Sequence, residues 1–202
     1  MIKTIIFDFG DVFLTLDKPA TARELKKLEI SHFSEEMLKQ NQLYEKGLIS
    51  SEEFISAYCN SFPELTSEDF TRSWNAILVD FPAHRLEFLK KLKREGRYKL
   101  ILLSNTNHIH IDWVKQNISF FEEFKNCFDA VYLSQEINLR KPDADIYHYV
   151  LEKHDLKPKE TLFIDDTTEN TVAAAKLGIH TWNIDPAKED VTHLFEVKSD
   201  LF

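Results

Sequence analysis

Five short apolar runs punctuate the chain: Thr4–Phe9, Leu100–Leu103, Ala130–Leu133, Thr161–Ile164 and His180–Ile184. Their β-branched and aromatic residues are nearly continuous, the pattern of strands buried on both faces. Around the last four lie segments with apolar residues at helical spacing, Arg85–Glu95, Ile146–His154 and Thr168–Leu177. Strands alternating with helices predict an α/β fold built on an open parallel sheet with right-handed crossovers. In such sheets the C-terminal strand ends open onto the ligand crevice. Two of these runs stop abruptly at carboxylates, Asp8 and the pair Asp165-Asp166.

The first crossover is too long for one helix, since about seventy residues separate the first strand from Arg85, and structureless loops of that length are uncommon. The stretch reads as three helices. Ser34-Glu35-Glu36 starts one running to Lys46, Ser50-Ser51-Glu52-Glu53 a second, and Thr66-Ser67-Glu68-Asp69 a third. Each start combines a hydroxyl N-cap with acids in the first turn. Leu38, Tyr44, Phe54, Tyr58, Phe70 and Trp74 recur at helical spacing and form the expected core of this unit. The predicted organisation is a helical insertion over 16–82 in an α/β domain made of 1–15 and 83–202.

Glycine is scarce, with four in the chain. Gly47, Gly96 and Gly178 each follow a helical segment, where a left-handed C-cap is wanted. Gly10 follows the first strand. So few glycines exclude both a GxGxxG dinucleotide loop and a Walker A loop.

Charge removes further classes. The formal net charge of −9 and pI near 5.4 oppose a nucleic-acid footprint. Cys59 and Cys127 form no spaced cluster and read as reduced thiols of a cytoplasmic protein. The N-terminus enters the first strand without a signal peptide, and no apolar run is long enough to span a membrane. His108 and His110, two apart in a helix, do not share a face, which argues against a histidine metal site.

The chemistry lies at strand ends. Asp8 suits a nucleophile or a cation ligand, or else an ordinary turn carboxylate. Ser104, in Leu103-Ser104-Asn105-Thr106-Asn107, offers a hydroxyl and backbone N–H groups to a phosphoryl oxygen, or else caps a helix. Lys141, in Arg140-Lys141-Pro142, stands before a helix that Pro142 is expected to open, and can offset carboxylates or a phosphate. Asp165-Asp166 supplies hard oxygens suited to Mg²⁺. Asp166 and Glu169 also stand at capping-box spacing, but two adjacent acids exceed what capping requires. Asn170 is placed to orient one of them.

In order and position these segments resemble the four motifs of the haloacid dehalogenase-like hydrolase superfamily, with the insertion where that superfamily carries its cap. The resemblance covers nearly the whole chain and implies a Rossmann-like core. The phrases Tyr132-Leu133-Ser134-Gln135, Arg140-Lys141-Pro142 and Leu177-Gly178-Ile179 look like the bacterial α-D-glucose-1-phosphate phosphatase branch. That branch is related to the phosphatase domain of soluble epoxide hydrolase. By this resemblance Asp8 forms an aspartyl-phosphate and Mg²⁺ is held by Asp8, the Gly10 carbonyl and Asp166, with Asp165 assisting. Ser104 and Lys141 hold the transferring oxygens, and Asn105 and the Gly10–Asp11 backbone add donors. The implied partner is a small phosphorylated metabolite, a sugar phosphate such as glucose 1-phosphate.

One position departs from most phosphatases of the superfamily. The second Asp, two residues after the nucleophile and acting as general acid/base, is here Gly10, as in the glucose-1-phosphate branch. Asp11 is the substitute the sequence offers. Such acid–base help is worth about 10²–10⁴-fold in rate, so esters with poor leaving groups are expected to react slowly. A 2-haloacid dehalogenase, which also lacks the second Asp, and a catalytically weak phosphate- or partner-binding module are the competing readings. Tyr44, Trp74 and Asn75 could line a substrate pocket, but most aromatics at helical spacing form the core of such a unit, so none is assigned to the site.

Overall fold

The computed structural model describes residues 1–30 and 32–202. Thr4–Phe7 (β1) leads to Thr15–Leu16 (β2), then to four helices, Ala20–Lys27 (α1), Glu35–Glu45 (α2), Ser51–Ser61 (α3) and Ser67–Asn75 (α4). Leu78–Asp80 (β3) closes this excursion, followed by Ala83–Glu95 (α5), Lys99–Ser104 (β4), His108–Asn117 (α6) and Phe121–Asn126 (α7). The chain continues through Ala130–Leu133 (β5), Ser134–Ile137 (α8), Ala144–Lys153 (α9), Thr161–Asp165 (β6), Thr168–Lys176 (α10), His180–Asn183 (β7) and Leu194–Val197 (α11).

The five strands expected from the apolar runs form one parallel sheet, in the order β5-β4-β1-β6-β7. Their side chains alternate between two cores, as the pleat requires. Ile5, Phe7, Leu100, Leu102, Leu162 and Ile164 pack on one face with α5 and α7, whose Phe121 and Phe124 join Phe9, Phe13, Phe81 and Phe128 in an aromatic cluster. Ile6, Ile101, Leu103 and Phe163 pack on the other with Ile146, Tyr147, Val150 and Ala174 of α9 and α10. Because β1 is central, β4 and β6 flank it, and the residues ending all three strands meet at one rim.

Among the described residues the insertion holds four helices, not three. The missed one, α1, has Pro19 at its N-cap and no side-chain cap, so it lacks the signal that marks the others. Ser34, Ser50 and Thr66 accept bonds from Met37 N, Glu53 N and Asp69 N, and Ser50 with Glu53 completes a capping box. Tyr44, Phe54, Tyr58 and Phe70 form the insertion's own core, but Leu38 is half exposed and Met37 turns inward in its place. The short antiparallel pair β2–β3 frames the insertion where it leaves and re-enters the α/β domain. Gly47, at φ +64°, allows α2 to end against α8: a Cβ there would lie 2.0 Å from Gln135 O. No helix among the described residues is long and apolar enough to cross a membrane.

His110 of α6 joins the two parts. Its Nε2 donates to Trp74 O (3.2 Å), its Nδ1 accepts from Asn107 Nδ2 (3.1 Å), and its ring stacks on Trp74 at 5.6 Å. Burial pushes the imidazole pKa down to about 4, with the Trp74 carbonyl opposing. The unfolded chain takes up this proton as pH falls through about 6.5 while the folded protein does not, so acid favours unfolding across that window. We predict that His110 alone removes about 3 kcal/mol of stability between pH 6.5 and pH 4. Urea unfolding checks this: His110→Gln is expected to lose less stability than the wild type over that range, and equal losses contradict it.

Candidate active site

Every hydrogen of the Lys141 ammonium is engaged. Nζ donates to Asp8 Oδ1 (2.8 Å), Asp165 Oδ2 (2.6 Å) and Leu103 O (2.8 Å). The three side chains come from the ends of β1 and β6 and from the loop after α8, and Lys141 is 1% exposed and Asp165 0%. Burial pushes the lysine pKa down, but the Asp165 and Asp8 carboxylates outweigh it and hold the group charged. For Asp8 the balance runs the other way. Burial lifts it above the usual carboxylate range, Lys141 opposes, and Asp165 and Asp166 add to the rise.

Asp165 is saturated. Oδ1 accepts from Thr167 N (2.8 Å) and Asn170 Nδ2 (3.1 Å), and Oδ2 accepts from Asn170 (3.0 Å) as well as from Lys141. Asn170 therefore orients Asp165, as the sequence suggested. The alternative reading of Asp166 and Glu169 as a capping pair, disfavoured from the sequence, does not hold: Thr167 is the N-cap of α10 and Asp165 accepts from its amide. Asp166 is instead turned toward the cleft, where Lys18 reaches it. Burial raises the Asp166 pKa, and Lys18 opposes that rise.

Asp8, Asp165 and Asp166 offer oxygens within 4.8 Å of one another. With Asp165 bound on both oxygens, the second Asp8 oxygen and Asp166 are the donors open to an ion. Hard carboxylate oxygens without nitrogen or sulfur suit Mg²⁺.

Several expectations need correction. Pro142 does not open the following helix: α9 begins at Ala144 with Asp143 as its N-cap, and the Lys141–Pro142 peptide is cis. Lys141 has no hydrogen left for a phosphoryl oxygen, since an ammonium has three donors and all are bound. Asn105 does not extend its amide to the cleft. Its Nδ2 donates to Lys141 O (2.8 Å) and its Oδ1 accepts from Lys141 N (3.0 Å), a two-point clamp on the lysine backbone. The Asp11 amide donates to Leu14 O (2.7 Å), so it is not free for substrate. The Asp11 carboxylate accepts from Leu16 N (2.9 Å) and pairs with Lys18 (3.2 Å), lining a neighbouring cleft rather than the one over Asp8. Ser104 is not a helix cap, because Asn107 caps α6, and its buried hydroxyl borders the inner cavity.

Two cavities meet above Asp8. One of about 400 Å³ is lined by Asp8, Lys18, Arg140, Lys141 and Asp166. An inner one of about 140 Å³, between the sheet rim and the insertion, is lined by Ser104, Asn107, His110, Glu45 and Ile77. Gly10, Leu16 and Asn105 border both. Sequence reasoning missed Lys18, Leu16 and Glu45. Glu45 pairs with Arg140 (2.5 Å) across the boundary between insertion and core. Nothing in the local pattern of these residues marks them, because each reaches the site only through the path of the insertion.

Comparison with known proteins agrees with this geometry. The family described as haloacid dehalogenase-like hydrolase matches over residues 2–178. The chain belongs to that family and is a hydrolase. It is 28% identical to the D-ribitol-5-phosphate phosphatase of Bacteroides thetaiotaomicron, over 90% of this chain and 91% of the relative. Among solved structures it resembles a family enzyme from the same organism in its magnesium complex, with TM-score 0.85, 36% identity, and coverage of 96% of this chain and 98% of that one. An Asp-to-Ala mutant of that enzyme, holding magnesium and inorganic phosphate, aligns with TM-score 0.82 and 33% identity over 96% and 99% of the two chains.

Removing one partner of a buried ion pair typically costs about 3–5 kcal/mol, because the remaining charge is left uncompensated. Lys141→Met is therefore predicted to lower the unfolding free energy by about 3–5 kcal/mol, measured by urea titration in EDTA. A variant as stable as the wild type contradicts the ion-pair account.

Proposed function

We propose that the chain is a Mg²⁺-dependent phosphomonoesterase of the cytoplasm, acting on a small phosphorylated metabolite, with a sugar phosphate such as glucose 1-phosphate preferred. The observation that carries this reading is the bond from Lys141 to one oxygen of Asp8, which fixes the carboxylate beside a buried positive charge and leaves its other oxygen unbonded at the cleft. A fixed, desolvated carboxylate facing a cation site suits nucleophilic attack on phosphorus.

In this reading Asp8, the Gly10 carbonyl and Asp166, with Asp165 behind them, would hold Mg²⁺, which would supply positive charge to offset that of the phosphoryl group. Asp8 attacks phosphorus in line, the ester P–O bond breaks, and water hydrolyses the aspartyl-phosphate. The Ser104 hydroxyl donates to a phosphoryl oxygen. Lys141 acts through its charge rather than through a hydrogen bond to substrate, and Asn105 keeps its backbone in place. Such preorganised charge is the main source of rate in phosphoryl transfer. Glu45 and Arg140 stand at the mouth of the inner cavity, where substrate hydroxyls can meet both a donor and an acceptor. The relatives support the class of reaction, and the ribitol phosphate ester in the name of one of them is a second substrate to assay.

The acidic pair speaks against a dehalogenase, whose chemistry gains nothing from added negative charge or a metal. A panel of sugar and polyol phosphates with Mg²⁺ is expected to yield inorganic phosphate. EDTA should abolish the release, and Asp8→Asn should lower it by more than about 1000-fold. Halide release from 2-haloacids without Mg²⁺, or equal phosphate release by Asp8→Asn, contradicts the proposal.

A further inference from the structure

The place that a proton donor needs is filled. A methyl group added at Gly10 would lie 2.8 Å from Leu16 Cδ1 and 3.9 Å from Asp8 Oδ2. The Leu16 side chain thus occupies the space beside Asp8 that a side chain at position 10 would enter. Leu16 is fixed there by two independent contacts: its amide donates to Asp11 Oδ1 (2.9 Å), and its strand pairs with β3 opposite Leu78. It borders both the cavity over Asp8 and the inner cavity, so a bond broken between phosphorus and a leaving group seated in the inner cavity passes beside it.

Among the described residues, the titratable side chains lining the inner cavity are His110 and Glu45, and both are engaged elsewhere. Both nitrogens of His110 are engaged, Nε2–H with Trp74 O and Nδ1 with Asn107. Glu45 accepts a hydrogen bond from the Arg140 guanidinium. Asn105 is clamped to the Lys141 backbone, and Asp11 is held by Leu16 N and Lys18.

We propose that Leu16 replaces a general acid with an apolar wall and so restricts this enzyme to phosphate esters whose leaving oxygen departs as a stable anion. The favoured class is aryl, enol and anomeric sugar phosphates, and esters of simple alcohols are disfavoured. The inference rests on the phosphatase reading. As the Asp8–phosphorus bond forms, the P–O bond to the leaving group breaks. The departing oxygen keeps the electron pair and takes its proton from water after leaving.

The test is kcat/KM for para-substituted phenyl phosphates of graded leaving-group pKa, together with glucose 1-phosphate and glucose 6-phosphate, all with Mg²⁺. The wild type is expected to slow steadily as leaving-group pKa rises, and to favour the anomeric ester by about 100-fold or more, the lower range of general acid assistance. Gly10→Asp/Leu16→Ala, with room for a carboxylate, should flatten this dependence and raise glucose 6-phosphate turnover at least tenfold. Leu16→Ala alone, which opens the space without supplying an acid, should leave the slope unchanged. A flat wild-type series, or comparable rates on the two glucose phosphates, overturns the inference and leaves the phosphatase reading intact. So does loss of alkyl ester turnover in Glu45→Gln, which would make Glu45 the donor. Phosphate release unaffected by Asp8→Asn overturns both.

Discussion

A buried lysine with its three hydrogens bound to two carboxylates and one carbonyl is the constraint around which the rest of this site is arranged. Three acids gathered at one rim repel one another, and desolvation increases the cost of keeping them charged. Lys141 makes that gathering possible. Its own place is fixed by the Asn105 clamp, and Asn105 is in turn positioned by the end of β4. Asp165 is locked by Lys141, Asn170 and the Thr167 amide, which leaves Asp166 and one oxygen of Asp8 for chemistry. The sheet order supplies the geometry, since β1 lies between β4 and β6.

The insertion completes what the sheet begins. It contributes Lys18 and Glu45 directly, and its return through β3 braces Leu16 over Asp8. The chain thus divides the work: Asp8, Lys141, Asp165 and Asp166 come from the α/β core, and Leu16, Glu45, Ile77 and Leu78 of the inner cavity wall come from the insertion. His110, neutral and bonded to Trp74, joins the two parts without taking part in that chemistry.

Much of this was legible beforehand, for physical reasons. Apolar runs ending in carboxylates mark strand ends, and hydroxyl residues followed by acids mark α2, α3 and α4. Lys141 and Asp8 lie 133 residues apart, and their meeting was readable only because both stand at the ends of predicted elements. The fine roles were less legible. Asn105 has an amide that can serve substrate or backbone equally, and only the position of the Lys141 loop decides. Among the described helices of the insertion, α1 is the one without a capping side chain, and it left no local mark. Leu16 carried no mark in the sequence, yet it occupies the space that a side chain at position 10 would enter.

The central claim is that Asp8, held by Lys141, becomes covalently phosphorylated. Rapid acid quench of the Mg²⁺-loaded protein during turnover of glucose 1-phosphate, followed by peptide mass spectrometry, tests it directly. The account predicts the added mass of one phosphoryl group on the peptide carrying Asp8, and none in Asp8→Asn. Steady phosphate release with Asp8 unmodified, or a phosphoryl group on another residue, would contradict it.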